Sequence, residues 1–383
     1  MSESRKDSKG RKLKAGEGQR KDGRYYYRYE DISGERRTIY DKDLHELRKK
    51  EKEINLKLAQ GISYFDGNVP LSEMIEKYFS LKQKWRETTR DTMEGYRDII
   101  KTSKLYTMPI NKIKMIDVKT YLVELRGTYS YSVTSRVYML MKESFNLACE
   151  SDILLKNPCS FRLKSIIDDD FEKKPALTIE QERSLLQYLR TDPTDSRYLD
   201  IFIVLLGTGL RISEFAALTL KDIDFAKNLI HINKQIVWVN KAIKVTAPKT
   251  KAAYRDIPMT DDVRMAITSL LERRKRNKLD VMVDGYVGFL YVGCNGKPKK
   301  HTEFSDMFRR VLRRYNASND VLIEQCTPHT LRHTFATKLV AAGVDIKTAT
   351  RLMGHTNASV LLDVYADVVE SKLAESMKLI KIG

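Results

Sequence analysis

Residues 327–343 read TPHTLRHTFATKLVAAG, and the limits of a helix are written into them. Thr327 suits the N-cap, Pro328 the first helical position, where its missing N–H is no loss, and Gly343 the stop. Leu331, Phe335, Leu339 and Ala342 recur at the spacing of one buried stripe, while His329, Arg332 and His333 fall on another side. A spacing of three sets His329 beside Arg332 in the first turns, where backbone N–H groups and the helix dipole favour an anion. Alone, such a pair reads as a surface feature, and the rest of the chain decides its meaning.

Upstream, the apolar run Ile201–Leu206 reads as core, and the Gly207-Thr208-Gly209 break presents Arg211 of GLRISE at the start of a new helix. Glu214 follows one turn later, placed to hold Arg211 or a neighbouring histidine by a charge-assisted bond, or to form a surface ion pair of little energetic weight. Downstream, a helix over 345–353 ends at Gly354, His355 follows in the turn, and Tyr365 lies ten positions further on. A histidine in a tight turn is often structural, and a tyrosine after Leu361-Leu362-Asp363-Val364 can be core. Taken together, Arg211, His329, Arg332, His355 and Tyr365 describe a phosphodiester-cleaving site. Two guanidiniums grip non-bridging oxygens, two imidazoles donate or move protons, and a phenol attacks. Between these pieces, residues 231–259, HINKQIVWVNKAIKVTAPKTKAAYRDIPM, read as two strands joined at Asn240-Lys241, a loop over 248–251 and a third strand. The loop offers Lys249 and Lys251 as a general acid or a phosphate contact, and residue chemistry alone does not separate them.

The composition agrees with a polyanionic partner. With 69 Lys+Arg against 51 Asp+Glu in 383 residues the formal charge is +18, which favours nucleic acid and makes binding salt-dependent. At 42% hydrophobic residues the chain has real cores and is no mere basic tail. Its length suggests two or three compact units. Cys149, Cys159, Cys294 and Cys326 show no C-x-x-C pair, which argues against a zinc site or a disulfide framework and fits a reducing cytosol. No apolar run has membrane-spanning length and the first residues lack a secretory core, so a soluble, cytoplasmic protein without a metal is expected.

Residues 1 to 20 carry little to bury and are expected to form a mobile basic arm. In RYYYRYEDISGERRTIY (24–40), Tyr25, Tyr27 and Tyr29 share one face of a strand, Arg24 and Arg28 share the other, and Ser33-Gly34 turns into a second strand. Asp41 is placed to cap a helix with a Leu44, Leu47, Ile54, Leu58 stripe ending at Gly61. The tyrosines can pack on that helix while the arginines lie in a DNA groove. Residues 68–164 read as helices, at Leu71–Leu81, 89–101, 115–125 and 132–154, with Asn157-Pro158 closing the last. Lys82, Lys84, Arg86 and Arg90 make either a solvated helix surface or phosphate contacts. The acidic stretch SIIDDDFEKKPA (165–176) reads as a linker, and Thr178 starts a further helix with Glu182 as its capping-box partner.

The order GLRISE, PKTK, HTLRHTFAT, LMGH, VYAD, spanning Gly209 to Asp367, resembles the tyrosine recombinase (phage integrase) family. The layout of the whole chain is similar to integrases of conjugative transposons and temperate phages. The resemblance implies a multidomain fold: a small α+β arm-binding module (1–67), an all-α core-binding domain (68–165), a linker (166–176) and a mainly-α catalytic domain with a small antiparallel β-sheet (177–383). The last two domains would clamp duplex DNA. It implies Arg211, Lys249, His329, Arg332, His355 and Tyr365 as the catalytic set, with Tyr365 the nucleophile and Glu214 supporting, and DNA contacts from Arg24, Arg28, Lys82, Lys84, Arg86, Arg90 and Lys251. It further implies no cofactor, a homotetramer on core and arm sites of element ends, a terminal helix over 368–380 docked in trans, and excisionase or DNA-bending accessory proteins. The rivals are a tyrosine-type topoisomerase and a non-catalytic DNA-architectural protein.

Overall fold

Three antiparallel strands, β1 (Glu17–Gln19), β2 (Tyr25–Glu30) and β3 (Arg36–Asp41), form the first sheet of the computed structural model in the order β1-β2-β3. The structure describes residues 5–31, 36–59, 68–169, 175–276, 279–358, 361–362 and 364–366, divided between two units, Met1–Phe171 and Glu172–Gly383. The alternation of β2 is borne out: Tyr25, Tyr27 and Tyr29 are buried with Leu13, and with Leu44, Leu47 and Ile54 of α1 (Leu44–Ala59), while Arg28 faces outward. The expected Ser33-Gly34 turn and Gly61 stop lie outside the described residues.

Two expectations for this region are corrected. Residues 5–20 are not a free arm. Asp7 is buried and accepts from Arg11 Nε (2.8 Å) and Tyr25 Oη (3.0 Å), and buried Glu17 accepts from Arg48 Nε at 2.7 Å. These two acids order a segment whose apolar content alone would not, and they add β1 as a third strand. The cap of α1 is Asp43, whose Oδ1 accepts from the backbone N–H of His45 (2.7 Å) and Glu46 (3.2 Å), rather than Asp41, which ends β3.

The rest of the first unit is helical: α2 (Leu71–Leu81), α3 (Glu87–Lys101), α4 (Met115–Arg126) and α5 (Tyr131–Glu150), close to the expected segments. Their core holds Met74, Phe79, Leu122, Met141 and Phe145, and it extends to Ile167, so the expected linker begins inside packed structure. Residues 170–174 of that linker lie outside the described residues.

The second unit opens with α6 (Ile179–Thr191), capped by a Thr178–Gln181 box rather than by Glu182, because the bond needs the third helical residue. It continues through α7 (Leu199–Thr208) and α8 (Ile212–Ala217), then β4 (Ile223–Asp224), β5 (Leu229–Ile232), β6 (Gln235–Val239), β7 (Ala242–Thr246) and β8 (Arg255–Pro258). Helices α9 (Asp261–Arg276), α10 (His301–Ser318), α11 (Pro328–Ala341) and α12 (Ile346–Met353) complete it. The strands make two antiparallel sheets, β4-β5-β8 and the hairpin β6-β7, where Asn240 and Lys241 take left-handed backbone at φ 51° and 60°. The main core gathers α7, α9 and α10, with Phe202 stacked on Phe308 at 4.4 Å. Each such buried aromatic contributes about 1.5–3 kcal/mol. A smaller cluster between α11 and α12, with Ala336, Val340, Ala349 and Met353, also takes in Leu361, Val364 and the partly buried Tyr365. Among the described residues no helix is long and apolar enough to cross a membrane.

Candidate active site

Gly209 ends α7 in left-handed backbone at φ 61°, and a Cβ there would stand 2.3 Å from the Phe335 ring. That close approach brings α7 against α11 and throws the chain into α8 with Arg211 as its N-cap residue. Glu214, 3% exposed, accepts from the Arg211 backbone N–H (2.9 Å) and Nη1 (2.8 Å), as the sequence suggested.

Helix α11 has the limits read from its sequence: Thr327 caps it, Pro328 opens it, and Gly343 follows it at φ +76°. Its faces differ from the expectation. Ala342 is exposed, Ala336 and Val340 are buried, and Arg332 is itself 3% exposed instead of lying on an open face. Partners on several sides cover this helix, so one periodic stripe understates what it buries. His329 is exposed on the first turn.

Three consecutive carbonyls at the end of α12 organise the site. Gly354 O accepts from Arg211 Nη2 (3.3 Å), Met353 O from Arg332 Nη2 (2.5 Å) and Leu352 O from Arg255 Nε (2.7 Å). A helix C-terminus is electronegative, which suits three cations. Arg332 also donates from Nη1 to Gly209 O (2.5 Å) and from Nη2 to His355 Nε2 (2.7 Å). His355 Nδ1 is buried without a hydrogen-bond partner.

A cavity of about 410 Å³ lies beside this cluster, lined by Arg211, Glu214, Lys249, Thr250, Ala253 and His355 among others. Lys249 is exposed on the loop after β7; Lys251, also exposed, starts a short 3-10 turn and does not line the cavity. Arg332 reaches the site through His355. His329 and Tyr365 are not among the lining residues.

Burial, reinforced by Arg211, pushes the Arg332 guanidinium down to about 9. Burial also lowers the His355 imidazole to about 4, with Arg332 and Arg211 adding to the effect, so it is neutral near pH 7. Burial would raise the Glu214 carboxyl, but bonds from Arg255 and the charge of Arg211 hold it below its ordinary value. The arrangement concentrates fixed positive charge at one side of a cavity, which suits an anion. Among the described residues no group of side chains is arranged to hold a metal ion.

The other expected contact residues lie on surfaces. Arg24 is exposed and bonds Asp22 (2.8 Å), and Arg28 sits 4.9 Å over the Tyr26 ring. Lys82, Lys84, Arg86 and Arg90 are all exposed, with Arg90 paired to Glu94 at 3.3 Å and Lys82 set 5.5 Å over Tyr78. Sequence reasoning missed Arg255. Its signal was available: in β8, Arg255 shares the inward phase with Ile257 while Asp256 and Pro258 point out.

Comparison with known proteins follows the same lines. A model described as the phage integrase family matches residues 175–372, and one described as the DNA binding domain of Tn916 integrase matches residues 1–58. The transposase from transposon Tn1545 of Streptococcus agalactiae is 36% identical over 397 residues, covering 100% of this chain and 98% of its own. The transposase from Tn916 of Enterococcus faecalis has the same identity and coverage, 36%, 100% and 98%. The Tn1549 transposon integrase in complex with a circular intermediate DNA matches with a TM-score of 0.75 at 31% identity, over 80% of this chain and 99% of that one. The same integrase with transposon right end DNA gives 0.74 at 31%, again over 80% and 99%.

Proposed function

The chain belongs to the phage integrase family, and from that membership we propose the roles of its residues in a site-specific recombinase that excises and integrates a mobile element. It is a DNA-binding enzyme that cleaves and rejoins DNA strands. The observation that carries the assignment is the convergence of Arg211, Arg332 and His355 on the α12 terminus beside a cavity that Lys249 also lines.

In this reading Tyr365 attacks the scissile phosphorus, forming a 3′-phosphotyrosine and releasing a 5′-hydroxyl; a 5′-hydroxyl from another strand reverses the step through a Holliday junction. One phosphoester replaces another, so no nucleotide is consumed. His329 accepts the phenolic proton or orients the acceptor. Arg211, Arg332 and His355 stabilise charge growing on the phosphorane oxygens, and Lys249 protonates the departing 5′-oxygen. Glu214 fixes Arg211. The cavity lining supports Lys249 over Lys251, which is left as a phosphate contact.

The domain roles are proposed as arm binding for 1–67, core binding for 68–165 and catalysis for 177–383, with 166–176 as connection and Arg24, Arg28, Lys82, Lys84, Arg86 and Arg90 on phosphates. The enzyme works in the cytoplasm as a homotetramer on element ends, with excisionase and DNA-bending proteins as accessories. Residues 368–380, outside the described residues, dock on a neighbouring subunit. Truncation after Ser371 should impair synapsis, and unchanged tetramer assembly would count against that docking.

The test is a suicide DNA carrying the element ends. Wild type should become covalently attached, and Tyr365→Phe should bind the DNA nearly as well without attachment. Persistent attachment by Tyr365→Phe would reject the nucleophile. Relaxation of supercoiled DNA without paired attachment sites would favour a topoisomerase, and no covalent product from wild type would favour an architectural protein.

A further inference from the structure

Of the three arginines that hold the carbonyls of residues 352–354, two already have a part in the reaction and the third, Arg255, does not. We propose that Arg255 is a positioning residue for strand cleavage: its guanidinium locks the Arg211–Glu214 pair, the Lys249 loop and the His355 turn into one arrangement without touching DNA. This rests on the recombinase reading above.

Its side chain is 1% exposed and all three of its nitrogens are already bonded to protein acceptors, so none is turned toward a phosphate in the cavity. It binds three segments. Nη2 donates to Glu214 Oε2 (2.8 Å) and Nη1 to Oε1 (3.3 Å), gripping the carboxylate that also holds Arg211. Nη1 donates to Ala253 O (3.1 Å), on the cavity wall four residues past Lys249. Nε donates to Leu352 O (2.7 Å), three residues before His355. These segments come from distant parts of the chain, and this one planar fork joins them. Gly354 gives independent support. A Cβ on it would stand 2.8 Å from Arg255 Nη1 and 3.1 Å from its Cδ, so the turn carrying His355 lies directly on the guanidinium. A lysine keeps the charge but has one nitrogen, and it cannot span these acceptors in a fixed plane.

Single-turnover cleavage of the suicide DNA separates positioning from folding, because the amplitude counts active molecules and the rate constant reports their geometry. For Arg255→Lys we expect near wild-type amplitude, DNA affinity within about twofold, and a rate constant lower by on the order of 10²-fold. Gly354→Ala, which crowds the fork without removing it, must show the same fall in rate constant, and it serves should Arg255→Lys fail to fold. Adding Lys249→Ala to Arg255→Lys should cost less than the product of the two single losses, since both act on one loop. A reduced amplitude with an unchanged rate constant in both variants, or fully multiplicative losses, would overturn the proposal. Wild type that forms no covalent complex would instead bring down the recombinase reading itself.

Discussion

Replacing Glu214 with glutamine removes the anion that lies among the buried arginines while keeping its shape. Its carboxylate accepts four bonds, from Arg211 N (2.9 Å), Arg211 Nη1 (2.8 Å), Arg255 Nη2 (2.8 Å) and Arg255 Nη1 (3.3 Å). The Glu214 and Arg255 side chains are only 3% and 1% exposed, so water cannot replace the lost charge. Breaking a buried pair by removing one partner costs about 3–5 kcal/mol, because the other charge stays buried and uncompensated. A unit of this size loses roughly 2–4 °C per kcal/mol. Glu214→Gln should therefore lower the melting temperature of the second unit by about 6–20 °C, read by differential scanning calorimetry. The same reasoning makes a second demand. A phosphate in the cavity supplies a replacement anion, so duplex DNA should raise the melting temperature of the variant more than that of wild type. A fall below about 2 °C, or DNA stabilising both proteins equally, would refute the claim that Glu214 offsets the guanidinium charge.

Other outcomes follow from the same geometry. Gly354→Ala and Gly343→Ala both place a side chain in left-handed backbone, at φ +63° and +76°, costing about 1–2 kcal/mol each. Gly343 has open space around its Cβ position, so urea unfolding should show the larger loss for Gly354→Ala; equal losses would count against the close packing on Arg255. The His355 imidazole, held down to about 4, should titrate by NMR well below its usual value of about 6.5. Unfolded chains take up that proton near 6.5 and the folded site refuses it until about 4, so this residue makes stability fall as pH drops through that window. His355→Gln should remove that slope, and an ordinary midpoint would contradict the burial. Lys249→Ala should lose strand cleavage and recover it on DNA with a bridging 5′-sulfur, whose leaving group needs no proton, whereas Lys251→Ala should keep most activity; failure of the rescue would move the acid elsewhere.

Much of this site was legible because its signals are local. Thr327, Pro328 and Gly343 delimit α11 by backbone chemistry that needs no partner, and Arg211 with Glu214 lies within one turn. What the sequence concealed depends on contacts across long separations. Arg332 reads as a surface cation from helical spacing, yet Gly209 and Met353 carbonyls from either side enclose it. The alternation of β8 puts Arg255 on the inward phase, but nothing local names its partner, Glu214, which lies 41 positions away. The first 20 residues look disordered by composition, and part of what holds Asp7 and Glu17 comes from outside that stretch, from Tyr25 and Arg48. The family motifs brought in Lys249 and Tyr365, for which the spacing of residues gave no unique reading.

The most direct test is a structure of the Tyr365→Phe protein bound to DNA containing an intact scissile phosphate. The account predicts that Arg211, Arg332 and His355 place nitrogens about 2.7–3.2 Å from oxygens of one and the same phosphate, with the ring at position 365 facing its phosphorus. Guanidiniums engaged on different phosphates, or a scissile phosphate lodged away from the α12 terminus in every subunit, would contradict it.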